Sequence, residues 1–471
     1  MSNDKTSDSA SATKVARPRI LIVAENASAK FGGEAALPMH YFRKFRASQV
    51  ETWLIVHERT RAELNNLFPQ DFDRIYFVPD TVWHRLLWNL ARPLPRKLAN
   101  MTLGFLMSLL SQLIQRRLIR QVVRQHQVDI IHQPIPVSPK EPSMIFGMGV
   151  PVVIGPMNGG MNYPPAFQSM ESWLVRFTVD MGRFFADWMN MLIPGKRRAA
   201  LLLVANQRTK AALPRGTGSK VVELVENGVD LATWKPKPEI VGLSNESQKA
   251  PVAGETPQPI RFIFVGRLVD WKAVDLLIEA FSRLTPELPV SLEIIGDGIE
   301  RSRLEAQAQR LGLWTKPEAS ITQANPSPNR VEFLGWLSQA ECAQHLQWAD
   351  VMVLPSLWEC GGAVVLEAMA VGLPVIATNW GGPADYLDES CGILVDPVSR
   401  EGLIAGLASA MRQLAVDPEL RLTMGKAGRE RVVQQFNWDV KAEQMLCLYQ
   451  RVLETSLDLA EVLVTEPVQS A

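Results

Sequence analysis

The stretch richest in usable chemistry is W-E-C-G-G-A-V-V-L-E-A-M-A-V-G-L-P-V-I-A-T, Trp358–Thr378. It carries two carboxylates, Glu359 and Glu367, with Gly361 and Gly362 between them. A carboxylate accepts hydrogen bonds in pairs, so each suits a vicinal diol, as on a sugar or a ribose. Glycines at a helix start let main-chain N–H groups approach a ligand oxygen closely. The bland alternatives are a helix-N-terminal acid favoured by the macrodipole for Glu359 and a solvated surface residue for Glu367. The second is weakened by the apolar run V-V-L-E-A-M-A-V-G-L, in which a carboxylate needs a partner. Upstream, Arg267 and Lys272 stand in R-x-x-x-x-K spacing. Fixed cations stabilise a leaving diphosphate without a metal, Arg as a planar fork and Lys as a point charge. On its own that spacing is common among surface charges. D-F-D, Asp71–Asp73, has the D-x-D spacing of metal-dependent transferases, but it directly precedes an apolar run and reads as a solvated turn. No metal site is expected.

The elements that must position these groups follow a simple grammar. Short apolar runs, as for strands buried on both faces, occur at Arg19–Ala24, Val50–His57, Ile75–Val78, Val128–His132, Pro151–Gly155 and Leu201–Ala205. A second set runs Arg261–Gly266, Ser291–Gly296, Val331–Gly335, Val351–Pro355, Pro374–Thr378 and Gly392–Asp396. Helical stretches alternate with them, which implies α/β architecture with two parallel, doubly wound, Rossmann-like sheets. The division expected is a disordered tail over 1–17, an N-terminal Rossmann-like domain over 18–235 and a linker over 236–259, rich in Pro, Ser and Glu. A C-terminal Rossmann-like domain over 260–440 and a helix over 441–471 returning toward the N-terminal domain complete it. Ligands of open α/β sheets sit beyond the carboxyl ends of the strands, so the site belongs in the cleft between the domains.

The paired glutamates of E-C-G-G-A-V-V-L-E resemble the signature of the retaining GT-B glycosyltransferases, glycosyltransferase family 4 (glycosyl transferases group 1). G-R-L-V-D-W-K-A-V-D-L-L-I-E-A-F (Gly266–Phe281), V-E-N-G-V-D (Val225–Asp230) and G-D-G (Gly296–Gly298) are similar to that family's companion motifs. The match runs in order through about residues 221–440. The whole chain is also similar to cyanobacterial glycosyltransferases of the digalactosyldiacylglycerol synthase kind. The resemblance implies a GT-B fold and transfer of a sugar from a nucleotide-diphosphate-sugar, expected to be a UDP-sugar, with retention of configuration. It implies that Arg267 and Lys272, beside Gly266, neutralise the diphosphate, and that Glu367 holds the ribose. Glu359 and the backbone of Cys360, Gly361 and Gly362 would hold the donor sugar. Gly32 and Gly33 would let the N-terminal loop approach the phosphates, and His132, in H-Q-P, would face the reacting sugar. Catalytic roles then fall to His132, Glu359, Arg267 and Lys272. The chain departs from the family's Gly-Phe-Gly after the first Glu, which here is Cys360-Gly361-Gly362. G-P-M-N-G-G-M-N-Y-P-P (Gly155–Pro165) reads either as a plain turn or as the acceptor side.

Composition bounds the remaining choices. With 49 Lys+Arg against 49 Asp+Glu, the chain lacks the basic excess of a general nucleic-acid binder. The four cysteines show no C-x-x-C spacing, which excludes a disulfide framework and fits a reducing cytoplasm. The N-terminus has no apolar h-region, and no clean run of eighteen apolar residues occurs. From Thr81 to Val128 there are eight Lys/Arg and no Asp or Glu, interleaved with Trp83, Trp88 and Phe105. Ser172–Arg198 also ends in a basic cluster after Trp, Phe and Met. Such stretches suit an anionic membrane surface, or helices packed on a core with a solvated basic face. The expected acceptor is a membrane lipid or lipid-linked sugar, the expected location cytoplasmic and peripheral to a membrane, and no cofactor is expected. A nucleotide-sugar epimerase of the same fold and a catalytically silent sugar-binding protein are the rivals.

Overall fold

The structure is a computed structural model that describes residues 17–93, 103–171, 173–217, 220–238, 240, 259–284, 288–314 and 329–465. The expected tail over 1–17 and linker over 236–259 lie almost wholly outside the described residues.

Two all-parallel sheets form. The N-terminal sheet contains β1 (Ile20–Val23), β2 (Thr52–His57), β3 (Ile75–Val78), β4 (Ile130–Gln133), β5 (Val152–Met157), β6 (Leu201–Val204) and β7 (Val221–Glu223), in the order β3-β2-β1-β4-β5-β6-β7. The C-terminal sheet contains β8 (Ile260–Val265), β9 (Val290–Ile295), β10 (Arg330–Gly335), β11 (Val351–Leu354), β12 (Val375–Thr378) and β13 (Gly392–Val395), in the order β10-β9-β8-β11-β12-β13. The strand order reverses beside β1 and beside β8, the doubly wound arrangement in which ligands collect at the strand ends flanking the switch. Strand β7 was not foreseen: its burial is partial, so it lacks the apolar run that marks the others.

Each strand splits its side chains between two layers. Ile20, Ile22, Leu54, Val56 and Ile130 face one layer, while Leu21, Val23, Trp53, Ile55 and Ile131 face the other. Every one of these side chains is at most 6% exposed, and full burial of an aliphatic residue contributes about 1.5–3 kcal/mol. The first layer is closed by helix Gly33–Ala47 and by helix Trp438–Thr465, which sends Trp438, Ala442, Met445 and Tyr449 onto one face at helical spacing. The long C-terminal helix thus packs on the N-terminal sheet, and a bridge between Val229 and Asn437 marks its return. Helix Phe105–His126 covers the opposite face, through Ile119 and Val122.

Candidate active site

In the C-terminal domain, β8 ends into Gly266-Arg267, and a short turn over Asp270–Lys272 leads into helix Val274–Ser282. β11 ends at Leu354 and runs through Glu359 to helix Ala363–Val371. Leu357 N–H donates to the Trp271 carbonyl at 2.8 Å, which ties the two loops together. The Lys272 ammonium forms an ion pair with the Glu359 carboxylate, the two side chains being 13% and 16% exposed. A β-carbon placed on Gly266 would lie 3.8 Å from Lys272 Cε, so the three residues share one spot. Arg267 is exposed, its guanidinium 6.0 Å from the Trp271 ring centroid.

Two glycines shape the loop. Gly362 caps helix Ala363–Val371 at φ 79, a left-handed conformation, and a β-carbon there would sit 2.9 Å from Glu359 Cγ. At Gly361 a β-carbon would come within 2.5 Å of Glu226 Oε1 and closer still to Asn227 Nδ2. The departure from Gly-Phe-Gly therefore has a structural counterpart: N-terminal side chains fill the space beside position 361. Glu367 is half-buried on the helix and makes no hydrogen bond or ion pair with a described residue. Desolvation pushes its carboxyl up to about 7; burial, with the Glu367 charge second, raises the Cys342 thiol of the neighbouring helix Gln339–Trp348.

The N-terminal domain meets this loop directly. Asn158 Nδ2 donates to the Cys360 carbonyl and to Glu226 Oε1, both at 2.8 Å. Asn227 Nδ2 donates to Glu226 Oε1 and to the Tyr386 hydroxyl, both at 2.9 Å. Trp380 Nε1 donates to the Asn162 carbonyl, and Asn206 Nδ2 to Asp385. Beside this seam lies a cavity of about 660 Å³ lined by Asn158, Gly159, Gly160 and Asn162 with Lys140 and Arg208. The Gly155–Pro165 loop is therefore a cavity wall rather than a plain turn. A second cavity of about 220 Å³ opens at the ends of β1 and β4, where Glu25, Glu34, Gln133 and Glu141 face it. Burial raises the carboxyls of both Glu34 and Glu141.

His132 does not face either space. It is 0% exposed, Nε2–H donates to the Gly155 carbonyl at 2.7 Å, and Nδ1 accepts from the Tyr449 hydroxyl at 2.7 Å. Desolvation lowers its pKa to about 4, so the ring is neutral with both nitrogens occupied. The expectation that it faces the reacting sugar is corrected by strand geometry: alternation turns His132 into the layer under helix Trp438–Thr465 and turns Gln133 toward the cavity. Gly32 caps and Gly33 begins helix Gly33–Ala47; both are exposed, and added β-carbons would meet nothing within 4 Å. They are not brought into contact with Lys272 or Glu359 by any described bond.

Asp71 of D-F-D pairs with Arg46 at 2.8 Å, at the amino end of β3 and so at the wrong end of a parallel sheet for the cleft. One group of metal-ligand type occurs among the described residues: His57, Asp80 and His84, with ligand atoms within 4.8 Å of one another. Nδ1 of His57 accepts the Arg59 N–H at 3.3 Å, and Nδ1 of His84 accepts the Thr81 N–H at 3.2 Å. Each Nε2 then carries the proton, and these point to Asp80 and Ser111. The trio is satisfied as hydrogen-bonded caps.

Sequence reasoning missed Asn158, Glu226, Gln133, Glu34 and Glu141. Two signals were present: Asn158 and Glu226 sit inside segments already singled out, and Gln133 follows from the period-2 rule applied one residue past His132.

Residues 246–431 match the family described as glycosyl transferases group 1. The chain is 30% identical over 243 residues to alpha-maltose-1-phosphate synthase of Mycobacterium tuberculosis, covering 49% of this chain and 57% of that protein. It is 28% identical over 341 residues to the sulfoquinovosyl transferase SQD2 of Arabidopsis thaliana, covering 70% of this chain and 58% of that one. The chain thus spans little more than half the length of these relatives. Among solved structures it is similar to Anabaena Alr3699/HepE in complex with UDP, at TM-score 0.59 and 18% identity over 92% of this chain and 99% of that one. The chain has the two-domain fold of the GT-B glycosyltransferases, and its residues 246–431 match the glycosyl transferases group 1 family.

Proposed function

We propose that the protein is a retaining glycosyltransferase that moves a sugar from a UDP-sugar to a hydroxyl of a membrane lipid or lipid-linked acceptor. The observation that carries this reading is the Lys272–Glu359 pair beside Gly266, set where β8 and β11 end. An ammonium held by a carboxylate is ready to exchange one oxygen partner for another, and a diphosphate carries two charges to the carboxylate's one. Arg267, exposed nearby, supplies the second cation. Glu359, released from Lys272, and the loop Cys360–Gly362 would hold the sugar, and the unpartnered Glu367 carboxylate suits the ribose diol. Gly32 and Gly33 remain candidates for the phosphate side. The UDP bound to HepE and the names of the transferase relatives support the donor class.

The lipid acceptor is supported by helix Trp173–Leu192. Met181, Phe184, Phe185, Trp188, Met191 and Leu192 recur at helical spacing and are exposed, Phe184 at 74% and Trp188 at 50%. The polar side faces inward: Asp187 pairs with Lys140 at 2.6 Å, and Arg183 donates to Asn162 at 2.7 Å on the larger cavity's wall. This is inverted relative to a water-facing helix and matches one lying in a bilayer interface. Helix Val82–Ala91 adds exposed Trp83 and Trp88. No described helix is long and apolar enough to cross a membrane. Binding to anionic vesicles should weaken with salt and drop about tenfold in a Phe184→Ser/Trp188→Ser double variant.

The decisive assay incubates the protein with UDP-hexoses and neutral or anionic lipid acceptors and reads the product by NMR. An α-glycoside with released UDP is expected, with and without chelator. A changed sugar on the nucleotide without acceptor would identify an epimerase, and donor binding without turnover a silent binder.

A further inference from the structure

The domain seam contains a carboxylate with no duty in the scheme above. Glu226 follows β7, is 5% exposed, and comes from the N-terminal half, yet it lies against the donor-sugar loop of the C-terminal half. Its Oε1 accepts from both Asn158 and Asn227, while its Oε2 is buried without a hydrogen-bond partner. An orphaned buried oxygen is costly and rarely kept without a reason. Each donor amide spends its second N–H across the seam: Asn158 on the Cys360 carbonyl, Asn227 on the Tyr386 hydroxyl. Both amides are therefore fully used, and Glu226 Oε1 is the shared acceptor that fixes how they are turned.

We propose that Glu226 is a positioning residue for the donor sugar: through Asn158 it orients the Cys360–Gly361 peptide, and by filling the space beside Gly361 it sets how near that loop stands to the N-terminal domain. The peptide unit is planar and trans, so fixing the Cys360 carbonyl toward Asn158 aims the Gly361 N–H the opposite way. The loop then holds its main-chain donor only while the two domains are seated together. Burial raises the Glu226 carboxyl, opposed by the hydrogen bond from Asn158 and by the Lys441 ammonium on the C-terminal helix. This inference rests on the donor reading above and adds the residue that couples domain seating to sugar binding.

The test is a split between sugar and diphosphate. For wild type, Glu226→Ala and Glu226→Gln, the KM of UDP-glucose or UDP-galactose and the inhibition constant of UDP are measured. Glu226→Ala should raise the sugar-nucleotide KM about tenfold and leave the UDP constant within twofold, because Lys272 and Arg267 lie outside the contact. Glu226→Gln keeps an acceptor oxygen and should stay within threefold of wild type. If Glu226→Ala does not fold, Gly361→Ala, which presses on Glu226 Oε1 from the other side, should show the same split. An unchanged KM, or a KM and UDP constant that rise together, overturns the proposal. A wild type that neither binds UDP nor turns over a sugar nucleotide overturns the donor reading itself, and this inference with it.

Discussion

Strands β4 and β11 occupy the same place in their sheets, each the first strand across the reversal from β1 or β8. They use it differently. After β11 the chain carries Glu359 into the loop beyond the strand, where it meets Lys272 at the cleft. On β4 the polar residue sits inside the strand, and His132 is swallowed by the core under Tyr449. The C-terminal half places its charged groups past the strand ends, in loops shaped by glycine. The N-terminal half presents its polar groups from scattered elements: Gln133 on a strand end, Glu34 in a first helical turn and Glu141 in a long connection. A polar residue near a switch-point strand is informative when it lies beyond the last ladder position. Within the ladder, the period of two decides its face.

The largest effect expected is on the C-terminal side. Glu359→Gln should lower kcat/KM about 100-fold or more, the scale for losing one group that positions the reacting centre. A loss below threefold would remove the contrast at its root. Next comes pH. The Glu367 carboxyl lies near 7 in the free protein, and a ribose diol is best held by its ionised form. Donor affinity should therefore rise by up to tenfold per unit as pH climbs toward 7 and level off above it, and Glu367→Gln should flatten that rise. The sign for stability is opposite: the raised carboxyl favours the fold below its ordinary pKa, and that benefit is lost as pH climbs from there to about 7. Titrations of donor binding between pH 5.5 and 8.5, a window chosen around this value, check both limbs.

For His132 the expectation is stability without catalysis. His132→Phe strands the Tyr449 hydroxyl and the Gly155 carbonyl, costing about 2–4 kcal/mol. At temperatures well below its melting point, kcat/KM should remain within threefold. A 100-fold loss at unchanged melting temperature would return His132 to the reaction and make the two halves alike. The smallest effect belongs to Asp71→Asn, which removes only its ion pair with Arg46, worth about 0–1 kcal/mol, and should leave turnover within twofold.

The fold was legible because parallel strands buried on both faces write themselves as short apolar runs, and twelve of the thirteen strands carry one. β7 does not, since its side chains are only partly buried. On the C-terminal side, Gly266, Lys272, Glu359 and Gly362 were readable because local loops bring them together. The seam was not. Asn158, Glu226 and Cys360 meet across 202 positions of chain, and Tyr449 reaches His132 across 317. No local pattern near His132 announces a helix arriving from the far end of the chain. Nor does the motif around Gly361 reveal that Glu226 fills the space beside it.

In the proposed reaction Lys272 and Arg267 grip the diphosphate at the ends of the C-terminal strands. Calorimetric titration of UDP into wild type, Lys272→Ala and Arg267→Ala tests it most directly. Each single variant should bind at least tenfold more weakly; Arg267→Ala should melt as wild type does, because Arg267 is exposed, and Lys272→Ala somewhat lower, because it strands the Glu359 carboxylate. UDP bound equally well by all three proteins would show that neither cation holds the diphosphate.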